Sequence, residues 1–96
     1  MVDVVVSREA DVDLLEIWNY IADDNMAAAD TVIADLFSRF EHIASYPMHG
    51  SVRDDIRPNT RASIVGHFLI FYEIVGAEAH ILRVIHGSRD LSAIFR

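Results

Sequence analysis

The sequence predicts an α+β fold in which one strand is followed by an antiparallel helical hairpin and then by an antiparallel three-stranded meander, with both helices packed on one sheet face. Three observations predict it. The chain opens with β-branched residues, its apolar residues recur at helical spacing over residues 8–46, and its second half contains three apolar runs separated by glycine. A chain of 96 residues with no linker-like segment predicts one domain, residues 1–96.

The first strand and first helix are predicted by adjacent segments. "VDVVVS", residues 2–7, is a β-branched run, and Ser7 is a residue type that caps helices. From Arg8 to about Asp24, apolar residues at i, i+3, i+4 and i+7 predict an amphipathic helix. Its apolar stripe comprises Leu14, Ile17, Trp18 and Ile21. Most of its carboxylates, Asp13 among them, are expected to face solvent.

The second helix is predicted to begin after Asp24 and Asn25, which interrupt the first pattern and can cap a new helix. A wide apolar stripe then continues as far as Tyr46. Pro47 ends the helix, because the residue before a proline is disfavoured in helical conformation. A connection this short predicts that the two helices form an antiparallel hairpin.

The meander is predicted after a turn at residues 47–50. Its three strands are "RASIV", "HFLIFYEIV" and "EAHILRVIH", separated by Gly66 and by a Gly-Ala pair at residues 76–77. Such short connections require antiparallel neighbours. The polar segment "SVRDDIRPNT" before them is predicted to be a loop or a frayed edge strand.

Missing residue types exclude several chemistries. The chain has no cysteine, which excludes disulfides, thiolate metal sites and a cysteine nucleophile, and it has no lysine to act as a base or to bind phosphate. Its five histidines show no spacing typical of a metal site, and no G-x-S-x-G motif is present. We therefore expect no metal ion, no cofactor and no serine-hydrolase triad.

The net charge and the apolar fraction of the chain indicate which kinds of partner it can bind. A net charge of −7 argues against a general nucleic-acid binder, and we expect no direct sequence-specific nucleic-acid binding by this chain alone. Residues 1–50 contain two arginines and ten carboxylates, whereas residues 51–96 contain six arginines and five carboxylates, so only the second half could face a polyanion. An apolar fraction of 52% suggests that a partner covers part of the surface. With no secretory signal and no apolar run long enough to span a bilayer, we expect a soluble cytoplasmic protein that does not bind membranes.

The segment "RVIHGSRD", residues 83–90, concentrates charge after the last predicted strand. Regular alternation places Arg83 on one sheet face with Ile81 and Ile85, and His86 on the other. Arg83 must then extend to solvent at the sheet edge, pair with a carboxylate such as Glu73, or contact a ligand. Arg89 is expected to pair with its neighbour, residue 90, or to cap the tail "LSAIF", which is expected to pack on the core.

A ribonuclease is compatible with these residues, although they do not specifically indicate one. Cleavage of RNA through its 2′-hydroxyl needs a base, an acid and a cation on the phosphate. His86 or Glu73 could exchange protons. The available cations are Arg57, Arg61, Arg83 and Arg89.

Three segments together suggest a known family: "DLLEIWNYIADDN", "YPMHGSVRDDIRPNTRASIVGHFLIFYEI" and "ILRVIHGSRDLSAIF". In these segments the chain resembles the ParE toxins of the RelE/ParE superfamily. The resemblance implies a toxin of a bacterial type II toxin–antitoxin module, of the kind associated with plasmid stabilisation, that inhibits DNA gyrase without catalysis. It also implies a cognate ParD-like antitoxin that lays a largely helical segment across the toxin. The expected antitoxin groove comprises Leu14, Trp18, Ile21, Phe37 and Phe71.

Two alternatives remain open beside gyrase inhibition: a RelE-like ribosome-dependent mRNA endonuclease, and a degenerate toxin that only binds its antitoxin. Arg83 matches a strand arginine of the superfamily's nucleases, and His86 lies near a histidine that some carry. The absence of lysine, the absence of tyrosine after Tyr72 and the negative charge depart from the nuclease pattern and favour gyrase inhibition. The expected target-binding residues are Arg57, Arg61, Arg83, His86 and Arg89. We expect R83A or R89A to weaken toxicity without unfolding the chain.

Overall fold

The structure, a computed structural model, describes residues 1–89 and residue 91. Two helices pack on a five-stranded sheet, which confirms the predicted α+β class. The elements in chain order are β1 (Asp3–Val6), α1 (Arg8–Ala22), α2 (Met26–Ser45), β2 (Ser51–Val52), β3 (Thr60–Val65), β4 (Phe68–Val75) and β5 (Glu78–His86). The polar segment after the helices thus contributes a two-residue edge strand followed by a loop. The predicted packing of the tail "LSAIF" concerns mostly residues outside those described.

The sheet has the strand order β1-β5-β4-β3-β2. The strands of the meander pair antiparallel as predicted, and β2 adds an antiparallel edge to β3. β1 lies on the opposite edge, parallel to β5, with Val4 opposite Ala79. The first and last strands are therefore neighbours, and the start of α1 lies beside the second half of β5.

The helix boundaries follow from their capping residues. The Ser7 hydroxyl accepts a hydrogen bond from the Ala10 amide (3.1 Å) and donates one to the Leu82 carbonyl (3.0 Å), so the cap also fastens α1 to β5. The Asn25 side chain accepts from the Ala28 amide at the start of α2 (3.0 Å). Among the described helices, none is both long enough and apolar enough to cross a bilayer.

The sheet separates two apolar clusters. The larger one lies between the sheet and both helices and includes Leu14, Leu36, Phe40, Ile43, Ile70, Tyr72, Ile81 and Val84. A smaller one on the opposite face consists of Ala62, Phe71 and Ile85, with Ile56 from the loop after β2 and Leu91 packed against it. Each element of the meander contributes to both clusters, as expected for alternating side chains.

A β-bulge in β5 contradicts the regular alternation predicted for that strand. Phe71 pairs with Arg83 but Tyr72 pairs with Ile81, so Leu82 is an extra residue on β5. Because the extra residue reverses the facing of those after it, Ile81 lies in the helix-side core whereas Ile85 lies in the opposite cluster. The prediction that Arg83 shares a face with Ile81 was therefore wrong.

Candidate functional site

The Arg83 guanidinium is held by Asp13 of α1. Its Nε donates to Asp13 Oδ2 at 2.7 Å and its Nη2 donates to Asp13 Oδ1 at 2.8 Å, a bidentate pair. The Val84 amide donates to the same Oδ2 at 2.9 Å. β1 ends at Val6, and Asp13 occupies the edge of β5 beyond it. The carboxylate therefore joins a helix to a strand.

The buried pair corrects two expectations. Asp13 is 5% exposed and does not face solvent, because its carboxylate accepts three hydrogen bonds from β5. Arg83 does pair with a carboxylate, one of the three alternatives expected for it, but the partner is Asp13 and not Glu73. Hydrogen bonding to Asp13 raises the pKa of the Arg83 guanidinium above its ordinary value. An alanine at position 83 should thus change stability as well as any binding role, contrary to the expectation that R83A leaves the fold intact.

His86 and Arg89 lie together at the end of β5, where a third residue joins them. The His67 and His86 rings stack with centroids 5.9 Å apart, and the Gly87 amide donates to the His67 carbonyl at 2.8 Å. The Arg89 amide donates to the His86 carbonyl at 3.0 Å. We call His67, His86 and Arg89, all exposed, the histidine edge. Sequence reasoning missed His67, although the hairpin turn that carries it must lie beside the end of the third meander strand.

The hydrogen bonds of His86 determine which of its ring nitrogens carries the proton in the neutral form. Its Nδ1 accepts from the Ser88 amide at 3.2 Å and lies 2.8 Å from the Ser88 hydroxyl. In the neutral ring the proton is therefore assigned to Nε2. His86 pairs with Phe68, which packs on the helix-side core, whereas Arg83 pairs with Phe71 of the opposite cluster. Arg83 and His86 thus face opposite sides of the sheet.

The two remaining arginines of the expected target surface lie elsewhere. Arg61 is at the start of β3, where its Nη1 donates to the carbonyls of Met48 (3.1 Å) and Gly50 (2.9 Å). Arg57 is exposed in the loop between β2 and β3. Arg61 and the histidine edge are at opposite ends of the β3–β4 hairpin, so the five residues do not form one patch.

The turn at residues 47–50 is anchored by Tyr72. The Tyr72 hydroxyl accepts from the Gly50 amide (3.0 Å) and donates to the Pro47 carbonyl (2.8 Å). A Cβ on Gly50 would lie within 2.9 Å of two Tyr72 ring carbons and closer still to the hydroxyl, so only glycine fits there. Burial raises the pKa of the Tyr72 phenol.

The five residues expected to line an antitoxin groove are dispersed. Leu14 is 7% exposed in the helix-side core, and Phe71 is fully buried on the opposite sheet face, where the Arg53 guanidinium lies 5.9 Å from its ring centroid. Trp18 and Ile21 are partly buried on α1, and the Trp18 indole donates to Asp30 on α2 at 2.8 Å. Phe37 is 48% exposed on α2. It remains accessible to a partner.

Phe37 borders a shallow apolar pocket beside β1. The pocket has a volume of about 360 Å³ and is lined by Val2, Asp3, Val4, Val6, Phe37, Phe40, Glu41 and Ala44. β1 is an edge strand, so its outer side is unpaired within the sheet.

Among the described residues, no group of three or more histidines and carboxylates is arranged to hold a metal ion.

The chain is similar to known proteins in both sequence and fold. A family model described as "ParE toxin of type II toxin-antitoxin system, parDE" matches residues 4–91. Two proteins of Caulobacter vibrioides are similar to the chain over nearly their whole length. Toxin ParE1 is 32% identical over 89 residues, covering 92% of either chain, and Toxin ParE3 is 26% identical over 91 residues, covering 94% of this chain and 91% of that protein.

A solved structure has the same fold. It is described as the chromosomal ParDE TA system from P. aeruginosa, and it superposes with a TM-score of 0.77. The match covers 90% of this chain and 96% of that one at 21% sequence identity. At this identity the similarity establishes the arrangement of helices and strands alone.

Proposed function

The chain belongs to the ParE toxin family of type II toxin–antitoxin systems, and we propose that it inhibits DNA gyrase, as a single toxin domain, until a ParD-like antitoxin neutralises it. Inhibition is by binding: the toxin stabilises the cleaved-DNA state of gyrase and catalyses no reaction itself. Its site of action is the cytoplasm, where gyrase and its DNA are found.

The Asp13–Arg83 pair is the observation that carries this proposal over the nuclease alternative. A nuclease needs a cation that can stabilise charge on the scissile phosphate. Arg83 directs two donors of its guanidinium to a buried carboxylate, which also offsets its charge. His86, the candidate base on the same strand, faces the other side of the sheet. No lysine is available to replace Arg83. Arg83 and His86 therefore do not converge on one phosphate.

The histidine edge is our proposed gyrase-binding surface. It combines Arg89 with two stacked histidines in the less acidic half of the chain, and its side chains are exposed. Arg57 is a second, separate candidate, since it is also exposed and carries no side-chain hydrogen bond among the described residues.

The pocket beside β1 is our proposed antitoxin-docking surface. Phe37 supplies an exposed aromatic ring next to an unpaired strand edge, and Val2, Val4 and Val6 add apolar surface. A helical antitoxin segment could bury such apolar anchors. The acidic first half of the chain favours basic residues at the margins of that segment.

The test uses purified antitoxin-free protein in gyrase reactions. We expect loss of negative supercoiling together with accumulation of cleaved DNA, and we expect R89A to weaken both effects. R8A is the matched control, because Arg8 is an exposed arginine outside the proposed surface. Unchanged supercoiling with cleavage of ribosome-bound mRNA would establish the nuclease alternative instead.

Neutralisation is tested separately. The protein encoded by the reading frame adjacent to this gene should bind the chain and restore supercoiling at equimolar concentration. F37A should weaken that binding without abolishing gyrase inhibition. If the neighbouring protein fails to bind, the ParD-like antitoxin is excluded as the partner.

A further inference from the structure

A cleft opens where β4 extends beyond β3. The last pair between these strands is Thr60 with Glu73, whereas Ile74 and Val75 pair only with β5. The edge of β4 is therefore open over these two residues. The cleft has a volume of about 460 Å³ and is lined by Met48, Val52, Asp54, Asn59, Thr60, Arg61, Glu73, Ile74 and Val75.

Thr60 lines this cleft, and its hydroxyl has no hydrogen-bond partner among the described residues. Thr60 is fully buried, and its Oγ1 is the unsatisfied atom. Its main chain is satisfied, since the amide donates to the Arg57 carbonyl (3.3 Å) and the carbonyl accepts from the Arg53 amide (2.8 Å). Buried polar groups almost always have a partner, because leaving one unpaired costs free energy. The hydroxyl therefore indicates a ligand with a polar group.

Glu73 supplies a carboxylate directly opposite Thr60. The two residues are register partners, so their side chains share a sheet face. Glu73 is partly buried and makes no hydrogen bond or ion pair with any other described residue. On the neighbouring strand β5 its register partner is His80, whose Nε2 lies 3.0 Å from Glu78 Oε1.

The other charged groups lining the cleft leave it acidic. Asp54 is exposed and uses its Oδ1 to accept from the Asn59 amide at 3.0 Å. Arg61 pairs with Tyr72 and so points to the opposite sheet face, where its Nη1 donates to two carbonyls. Two carboxylates thus border the cleft with one guanidinium that is already engaged. This balance favours a cationic ligand.

We propose that the cleft binds an arginine side chain carried by an extended segment of the antitoxin. A guanidinium has five donors in a planar fork, which can satisfy the Glu73 carboxylate bidentately and the Thr60 hydroxyl at the same time. The aliphatic part of the arginine would lie on Val75, which is 47% exposed and, two residues from Glu73 on β4, shares its sheet face. The open edge of β4 offers backbone groups to the segment. The identity of the partner rests on the proposed function, whereas arginine binding does not.

The first experiment tests arginine binding without an antitoxin. Amide chemical shifts of the folded protein are followed during titration with the blocked peptide acetyl-Ala-Arg-Ala-amide. We expect saturable shifts at Thr60, Glu73 and Ile74, and E73Q should weaken binding about tenfold, as expected for loss of a charge-assisted pair. The same peptide with citrulline, which has the shape of arginine without its charge, should not saturate. E16Q is the control, because Glu16 is an exposed glutamate on α1.

T60V separates a ligand-binding role from a structural one. Valine keeps the shape of threonine but removes the hydroxyl. We expect T60V to weaken peptide binding severalfold while it raises the melting temperature of the free protein, because the unsatisfied group is gone. Equal binding of the arginine and citrulline peptides, or unchanged binding by E73Q, overturns the inference.

The second experiment uses the complex with the protein from the adjacent reading frame. E73Q should weaken this complex about tenfold, and E73Q toxin should still inhibit gyrase. If the affinity for the partner is unchanged, the assignment of the arginine to the antitoxin is wrong while the proposed function stands. If the chain does not inhibit gyrase at all, the proposed function fails, and the peptide titration still decides what the cleft binds.

Discussion

The Asp13–Arg83 pair predicts a large loss of stability in Asp13→Ala. The substitution removes an acceptor that takes three hydrogen bonds from β5: two from Arg83, at 2.7 and 2.8 Å, and one from the Val84 amide, at 2.9 Å. It leaves the buried Val84 amide unpaired and a guanidinium without its counter-charge. The hydrogen bonds that remain here between the start of α1 and β5, among the described residues, are the two made by Ser7: its hydroxyl donates to the Leu82 carbonyl and its amide donates to the Ile81 carbonyl.

The expected loss of stability comes from the unpaired amide and the unpaired guanidinium. An unpaired buried amide costs about 1–3 kcal/mol. Breaking one side of a buried ion pair costs about 3–5 kcal/mol. The Arg83 side chain is 24% exposed and can turn toward water, so the second figure is an upper limit that already includes part of the first. We expect about 3 kcal/mol in total, a substantial fraction of the roughly 5–14 kcal/mol that stabilises a chain of this length.

Equilibrium unfolding in urea, followed by Trp18 fluorescence and far-UV circular dichroism, measures this loss. Asp13→Ala, Arg83→Ala and the double variant form a thermodynamic cycle. Each single variant should be strongly destabilised, and the double variant should lose about 1.5–3 kcal/mol less than the sum, because it leaves neither charge unpaired. Asp35→Ala, at an exposed position of α2, is the control and should change the free energy of unfolding by no more than about 0.5 kcal/mol.

Two results would refute the reasoning. A loss below about 1 kcal/mol in Asp13→Ala would place the pair in the range of surface salt bridges. Additive single effects would mean that Asp13 and Arg83 stabilise the fold independently. In either case Arg83 would be free to contact a phosphate, and the main argument against a nuclease would be lost.

Three further predictions concern Tyr72 and Thr60. Gly50→Ala should destabilise the fold by about 2 kcal/mol or more, because the new methyl group would overlap the Tyr72 ring; urea unfolding measures this, and wild-type stability would contradict it. Burial raises the pKa of Tyr72, so the folded state retains a proton that the unfolded chain releases near pH 10. Stability should therefore fall as the pH rises above about 10, and Tyr72→Phe should reduce this alkaline loss in urea titrations across pH; an unchanged slope would exclude Tyr72 as its source. Thr60→Val should raise the free energy of unfolding by about 1 kcal/mol in the free protein, and a decrease would mean that the hydroxyl has a partner.

Local chemistry was sufficient to predict the elements. Ser7 and Asn25 supply oxygens to unpaired helix amides, and Pro47 cannot follow a helical residue without strain, so the ends of both helices are encoded within a few residues. The glycines between the later strands allow the tight turns of a meander; Gly66 and Gly76 both adopt positive φ. Each of these signals acts over one turn of chain, which is why the sequence alone reveals it.

The site depends on contacts between residues far apart in the sequence, and these were not predictable. Asp13 lies beside the apolar stripe of α1, so the helical pattern alone predicts a solvent-facing carboxylate. In the structure β1 pairs with β5 only as far as Ile81, which leaves the Val84 amide available to Asp13. The bulge at Leu82 arises from the pairing of β4 with β5, and no residue type in β5 predicts it. The same is true of the cleft, which opens because β3 begins two residues short of the end of β4. Pairing geometry, not residue type, creates each of these features.

A shared position in a fold does not determine the role of the residue there. The resemblance implies that Arg83 matches a strand arginine of the superfamily's nucleases, whereas in this structure its guanidinium is bound by a carboxylate from the neighbouring helix. The role of that arginine thus depends on Asp13, which lies 70 residues earlier in the sequence. A related chain with an apolar residue at the position of Asp13 would leave the arginine free to reach a phosphate. We therefore expect an acidic residue at the position of Asp13 to distinguish binding toxins of this fold from nucleases. Introducing an apolar residue at position 13 tests whether this distinction holds within one chain.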